Sequence, residues 1–273
     1  MDALRKSVVA GSWYPGNQSV LITDIENYFN AVSDIELEGE VISLITPHAG
    51  YIYSGQVAAC AYKLIRGKKY DVVIVIGPSH RVAFQGVSVF SAGGYETPLG
   101  IVPVARELAE KIKKISNLVT DIPAAHLQEH SIEIQLPFLQ YALGNFPFVP
   151  LIMGDQGAAT CEELARIIYE SARGQKVLIV GSSDLSHFHS YNKAVDMDAV
   201  VLRHLKDFNT TGLLESLENR TTEACGGGPI VVSMMVAGMM GANKVQILKY
   251  ANSGDITGDR SSVVGYIAAA YYK

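Results

Sequence analysis

Three apolar runs along the chain each end in a short polar cap that carries a histidine. They are Val41-Ile42-Ser43-Leu44-Ile45-Thr46-Pro47-His48, Val72-Val73-Ile74-Val75-Ile76-Gly77-Pro78-Ser79-His80 and Val177-Leu178-Ile179-Val180-Gly181-Ser182-Ser183-Asp184-Leu185-Ser186-His187. Continuous apolar runs of this length read as strands buried on both faces, the pattern of a parallel sheet. Each histidine then falls at or just past the C-terminal end of its strand. In an open parallel α/β sheet that edge is where ligands bind. Histidines delivered there by separate strands can converge on one point.

Helical spacing of apolar positions predicts helices over 19–32 (Leu21, Ile25, Tyr28, Phe29, Val32), 55–66, 103–115, 159–173, 192–206, 210–217 and 230–240. Further strands are predicted over 86–90, 147–152, 244–251 and 262–270. Turn formers mark loops over 10–16, 48–55 and 93–100. The stretch 129–139 reads as a helix with Pro137 near its middle, where the ring removes a donor and should kink it. The alternation predicts an α/β fold, with a largely parallel central sheet and helices on both faces. The last two strands are candidates for antiparallel pairing. With no internal repeat, low-complexity tract or linker, 1–273 reads as a single domain.

Composition narrows the classes. Nearly half of the 273 residues are apolar, and the net charge is −5, which gives no basic balance for nucleic acid. No apolar stretch reaches the roughly 18 residues of a membrane span. The first six residues lack the apolar core of a signal peptide. Three cysteines, odd in number and far apart, do not make a disulfide framework, so a reducing cytoplasm is expected. Cys60 and Cys161 lie on helical patterns and read as structural.

Several residues have chemistry to offer. His48 and His80 share the strand-end edge, offered by what read as two neighbouring strands, and neutral imidazole is the commonest metal ligand; the bland reading of each is a loop histidine bonded to nearby carbonyls. If Ser186 and His187 open a helical turn, Asp184 and His187 share a face. They then make a ligand and proton-transfer pair, or a carboxylate orienting an imidazole; an Asp helix cap fits equally. His130 and Glu133 share a helical face, with Glu129 beside them, and a solvated helix start is the favoured reading there. His189 reads as a surface histidine, and His126 and His204 have no supporting context. Cys225, in Cys225-Gly226-Gly227-Gly228-Pro229, precedes a helix start. It is a candidate metal ligand or nucleophile, against a plain loop thiol. A His/His/Cys set suits iron, copper or zinc better than magnesium. There is no Gly-X-Ser-X-Gly elbow, Rossmann fingerprint or Walker loop, which disfavours nucleotide enzymes.

At these motifs the sequence resembles the Memo family, the B component of the AmmeMemoRadiSam set. The resemblance runs through Ala10-Gly11-Ser12-Trp13-Tyr14-Pro15, Pro47-His48-Ala49-Gly50-Tyr51, Gly77-Pro78-Ser79-His80, Glu129-His130-Ser131-Ile132-Glu133, Ser182-Ser183-Asp184-Leu185-Ser186-His187 and Cys225-Gly226. It implies one Memo-like domain over 1–273 and a fold like that of the class III extradiol dioxygenases, an α/β/α sandwich with a non-haem iron site at the sheet edge. By motif, His48, His80 and Cys225 match the family's metal positions, and Asp184 and His187 match residues lining the same pocket. The dioxygenases use two histidines and a carboxylate; a thiol in third place departs from them and leaves ring cleavage in doubt.

The leading expectation is a metal-dependent redox enzyme with one metal ion, iron first, copper or zinc as alternatives. His187 would be its acid/base group, assisted by Asp184. Tyr51, Tyr53, Glu129 and His130 would line the pocket of an unknown small-molecule or peptide substrate. The family's radical-SAM and Ammecr-type proteins are its expected partners. A non-catalytic binding module, in keeping with the phosphopeptide binding associated with animal relatives, and a metal-assisted hydrolase stand as alternatives. The oligomeric state is left open.

Overall fold

Four apolar strands, Val41–Thr46, Val177–Ser182, Val72–Pro78 and Phe148–Met153, lie parallel and side by side in that order in the computed structural model, which describes residues 4–273. Every residue of the four is buried. That is what helices on both faces require of a central strand, and it explains why these segments show apolar runs rather than alternation.

The sheet as a whole is mixed, a correction to the largely parallel expectation. Val263–Tyr272 runs antiparallel beside Val41–Thr46, and Lys244–Asn252 runs antiparallel beyond it. Only the short helical segment Ser253–Thr257 lies in the connection between these last two strands, too little for a parallel crossover. On the other flank Val87–Val89 is antiparallel to Phe148–Met153. A separate three-stranded sheet joins Leu4–Arg5, Gly94–Thr97 and Gly100–Pro103. The expected loop over 93–100 is therefore mostly a hairpin, turning at Pro98-Leu99.

Helices cover both faces. Gly227–Met239 is apolar almost all round because it lies between the sheet and the helix Ala158–Ser171. Three local expectations are corrected. The helix expected from residue 55 spans Tyr51–Lys63; its N-cap, Gly50, offers no side chain, and the Tyr51 N–H instead donates to the Trp13 carbonyl at 2.8 Å. Pro137 does not kink a helix: a 3-10 turn, Glu133–Gln135, precedes the helix Leu136–Leu143 and leaves the proline in its first turn, where a donor is dispensable. Ser186 and His187 open no helix; His187–His189 is a short strand antiparallel to Val263 and Val264. No described helix is long and apolar enough to cross a membrane.

Candidate metal centre

The strand-end histidines meet, but not from neighbouring strands. Val177–Ser182 lies between the strands that lead to His48 and His80. The loop after it, Ser183 to Ser186, therefore passes between the two histidines' loops. The His48 and His80 rings stand 5.1 Å apart, centre to centre, and nearly perpendicular. His130 joins them, 5.4 Å from His48 and stacked on His80 at 4.7 Å, with Trp13 on it at 4.4 Å.

Cys225 reaches this point from the loop before Gly227–Met239. Its Sγ lies 3.1 Å from His48 Nε2. The loop lies this close because residue 226 is glycine: a Cβ there would fall 2.3 Å from the Ser182 carbonyl oxygen. Gly226 N–H donates to Ser183 Oγ at 2.9 Å, and Gln156 Nε2 donates to the Cys225 carbonyl at 3.0 Å. The donor atoms of His48, His80 and Cys225 all lie within 4.8 Å of one another. That approaches the spacing of ligands held about 2.0–2.3 Å from one ion.

The surrounding hydrogen bonds decide which ring nitrogens are bare. Ser182 Oγ is 2.6 Å from the Ser131 carbonyl, an acceptor, and 2.7 Å from Gln135 Nε2, a donor. Gln135 Nε2 also donates to the Pro47 carbonyl at 2.9 Å, which fixes the amide's orientation. With its single hydrogen committed to Ser131, Ser182 Oγ accepts from His48 Nδ1 at 3.0 Å. His48 Nε2 is therefore left with its lone pair.

Glu129 does the same for His80. Its carboxylate accepts from His80 Nδ1 at 2.9 Å and from the backbone N–H groups of His80, His130 and Ser131 at 2.6, 2.9 and 2.9 Å. Burial alone would raise its pKa, but the His80 ring and these N–H groups hold it down at about 2. An ionised carboxylate only accepts, so His80 Nδ1 carries a hydrogen and Nε2 is the nitrogen left for a ligand. His80, Glu129 and His130 also cluster closely enough to suggest a second ion site. One oxygen of Glu129 already takes three of those hydrogen bonds, and the cluster is a support for His80.

Electrostatics fit the same picture. Burial, then the neighbouring His80, pushes His48 down to about 3, and burial with the neighbouring His48 does the same to His130. Burial and the nearby Asp184 push the Cys225 thiol well up, so its proton lies toward His48 Nε2. Two imidazoles whose Nδ1 atoms are committed to acceptors and a thiol that sheds its proton on ligation offer two nitrogens and one sulfur, a donor set suited to iron, copper or zinc.

The remaining expected site residues separate. Asp184, lifted to about 6 by burial, accepts from the His48 backbone N–H at 2.8 Å and so anchors the His48 loop. The His187 ring is oriented by another group, its Nδ1 donating to the Leu185 carbonyl at 2.7 Å, which leaves Nε2 as its unengaged nitrogen. His48, His80, His130, Asp184, His187 and Tyr53 line one cavity of about 750 Å³. Tyr51 does not: it is 3 % exposed, donates to the Ile134 carbonyl and packs on Phe138. Glu129 likewise sits beneath His80 instead of facing the cavity. The solvated reading of 129–133 fails because Glu133 is ion-paired with buried Arg5 and accepts from the Tyr14 hydroxyl at 2.7 Å. His189 pairs with Glu223 at 3.0 Å, and His126 is fully buried. Ser182 and Gln135 were not foreseeable as ring-orienting groups, since no local spacing links them to His48.

A sequence profile described as Memo-like protein matches residues 5–270. The chain belongs to the Memo family. A MEMO1 family protein of Methanobrevibacter smithii is 39 % identical, over 98 % of this chain and 99 % of its own length. One from Thermotoga neapolitana is 37 % identical, over 97 % and 99 %. Among solved structures, an uncharacterized protein of Escherichia coli K12 is similar to this Memo chain with a TM-score of 0.57 at 16 % identity, covering 86 % of this chain and 100 % of that one. That likeness concerns the fold alone.

Proposed function

We propose that this Memo-family chain is a metal-dependent redox enzyme whose ion is held by His48 Nε2, His80 Nε2 and Cys225 Sγ. One observation carries the reading: separate hydrogen-bond networks occupy both Nδ1 atoms and leave the Nε2 atoms as the ligating nitrogens beside a thiol. A bound iron or copper would supply a redox couple and a Lewis acid there. His187, whose Nδ1 is held by the Leu185 carbonyl, offers Nε2 as the acid/base atom at the cavity wall. Asp184 acts by holding the His48 backbone, and His130 borders the cavity beside the two ligating rings.

The test is metal content and affinity of anaerobically prepared protein reconstituted with Fe(II), Cu(I) or Zn(II). About one ion per chain is expected, lost in His48→Ala, His80→Ala and Cys225→Ser. Wild-type protein that holds metal no tighter than His48→Ala overturns the reading.

A further inference from the structure

Phe188 is an exposed aromatic in a backbone conformation that disfavours it. Among the described residues, three that are not glycine have positive φ: Phe188 at 61°, Phe208 at 51° and Arg220 at 60°. Phe208 packs edge-on against Tyr271 in the core. Arg220 follows the end of the helix Thr210–Glu218, where a left-handed residue is common. Phe188 has neither excuse. It lies where the pairing register of His187–His189 shifts, a bulge position that glycine fills most easily. Its side chain gains little from burial, being 77 % exposed. An outlier of this kind beside reactive groups points to function.

Its surroundings say what it meets. Phe188 lines the 750 Å³ cavity, a size that suits a small molecule. Its ring stands edge-on to His187 at 5.6 Å. Ile52, 71 % exposed, and Tyr53, 41 % exposed, share the lining, as does Trp13. Among the described residues the lining has no lysine or arginine and two acids, Asp184 and Asp259. Asp184 is buried and takes the His48 N–H, while Asp259 is exposed and takes the Ser261 N–H and hydroxyl on one oxygen. In the metal-free cavity a fixed negative charge on a ligand finds no lysine or arginine among these residues, and a positive one finds only the exposed Asp259 at the rim.

We infer that Phe188 is a ligand-contacting, specificity-determining residue, closing its ring over the apolar body of an uncharged small molecule held between Ile52, Tyr53 and Trp13. The inference goes beyond the metal reading and does not depend on it.

Trp13 is the chain's single tryptophan and lines the cavity, so its fluorescence reports occupancy. Benzyl alcohol, benzoate and benzylamine are similar in size and differ in charge. They are titrated into the full chain, chelator-treated and metal-reconstituted, as wild type, Phe188→Ala and Phe188→Gly. Benzyl alcohol should saturate the signal in chelator-treated wild type and bind at least about tenfold tighter than the two ions. Phe188→Ala should weaken it by about tenfold, the effect of losing one ring face from the contact. The unfolding midpoint of Phe188→Ala should stay near wild type, and that of Phe188→Gly should rise as the backbone relaxes. No saturable response in wild type, equal binding by Phe188→Ala, or equal binding of benzoate overturns the inference. So does a marked loss of stability in Phe188→Ala, which would give the ring a structural reason.

Discussion

Ser182 Oγ accepts the Nδ1 hydrogen of His48 across 134 residues of sequence, at 3.0 Å, from the last position of the strand beside the one that leads to His48. The hydroxyl can do so because its own hydrogen is taken by Ser131. The tautomer of a strand-end histidine is thus set by the adjoining strand.

Ser182→Ala removes that setting. His48 can then place its proton on Nε2, where it blocks ligation. Metal affinity, measured by competition with a chromophoric chelator, should fall about 10- to 100-fold, the usual effect of losing a ligand-orienting partner. Gln135 and Ser131 each lose a buried partner as well, destabilising the fold by roughly 1–3 kcal/mol. Unchanged metal affinity in a folded Ser182→Ala would refute the tautomer argument.

Glu129→Gln tests the same logic at His80. The amide keeps the shape but turns an NH2 toward one of the N–H groups that the carboxylate accepts. A buried donor facing a donor, with the charge lost, should destabilise by roughly 2–4 kcal/mol. Metal affinity should fall with it. Urea unfolding and chelator competition read the two effects separately, and a variant as stable as wild type would show that the carboxylate is not ionised.

What the sequence made legible follows from the range of the causes. The four parallel strands and the edge bearing His48 and His80 could be read because an apolar run and its polar cap are local signals. Tyr51 and Tyr53 could not be sorted. Which of them faces the core depends on where the helix begins, and that is set by the Trp13 carbonyl, far away in sequence. Glu129 and Glu133 looked solvated because Arg5, which pairs with Glu133 and donates to the Glu129 carbonyl, lies at the start of the chain. Cys225 could be suspected from its glycines, but its distance from His48 is a property of the fold.

His126 predicts a pH dependence away from the metal centre. Its ring is fully buried between the Ser88 hydroxyl, 3.0 Å from Nε2, and the Tyr95 hydroxyl, 2.7 Å from Nδ1. Burial, aided by the Arg5 charge, pushes its pKa from 6.5 down to about 3. Between those values the unfolded chain binds a proton that the folded chain does not. Its contribution is therefore complete above the unfolded value and is lost as pH falls toward the folded one. At about pH 5 the loss from this group is roughly 2 kcal/mol. His126→Gln should be less stable at neutral pH yet lose less stability on acidification, read from urea unfolding at several pH values. An unaltered slope would mean that His126 is not held neutral.

Gly226→Ala separates loop position from ligand identity. The φ of Gly226 is −107°, open to any residue, so glycine is required for space alone. A Cβ would lie 2.3 Å from the Ser182 carbonyl oxygen and 2.8 Å from Ser183 Cβ. Ser182 ends a central strand and cannot yield, so the Cys225 loop must move out. The 3.1 Å contact between Cys225 Sγ and His48 Nε2 then opens. Stability should drop by roughly 1–3 kcal/mol, as for other overpacked sites, while the thiol is kept. Metal affinity should fall toward that of Cys225→Ser. Cys225 should also react faster with a thiol reagent than in wild type, with Cys60 and Cys161 as the buried background. Wild-type metal affinity together with wild-type thiol reactivity would show that the loop does not depend on that close approach.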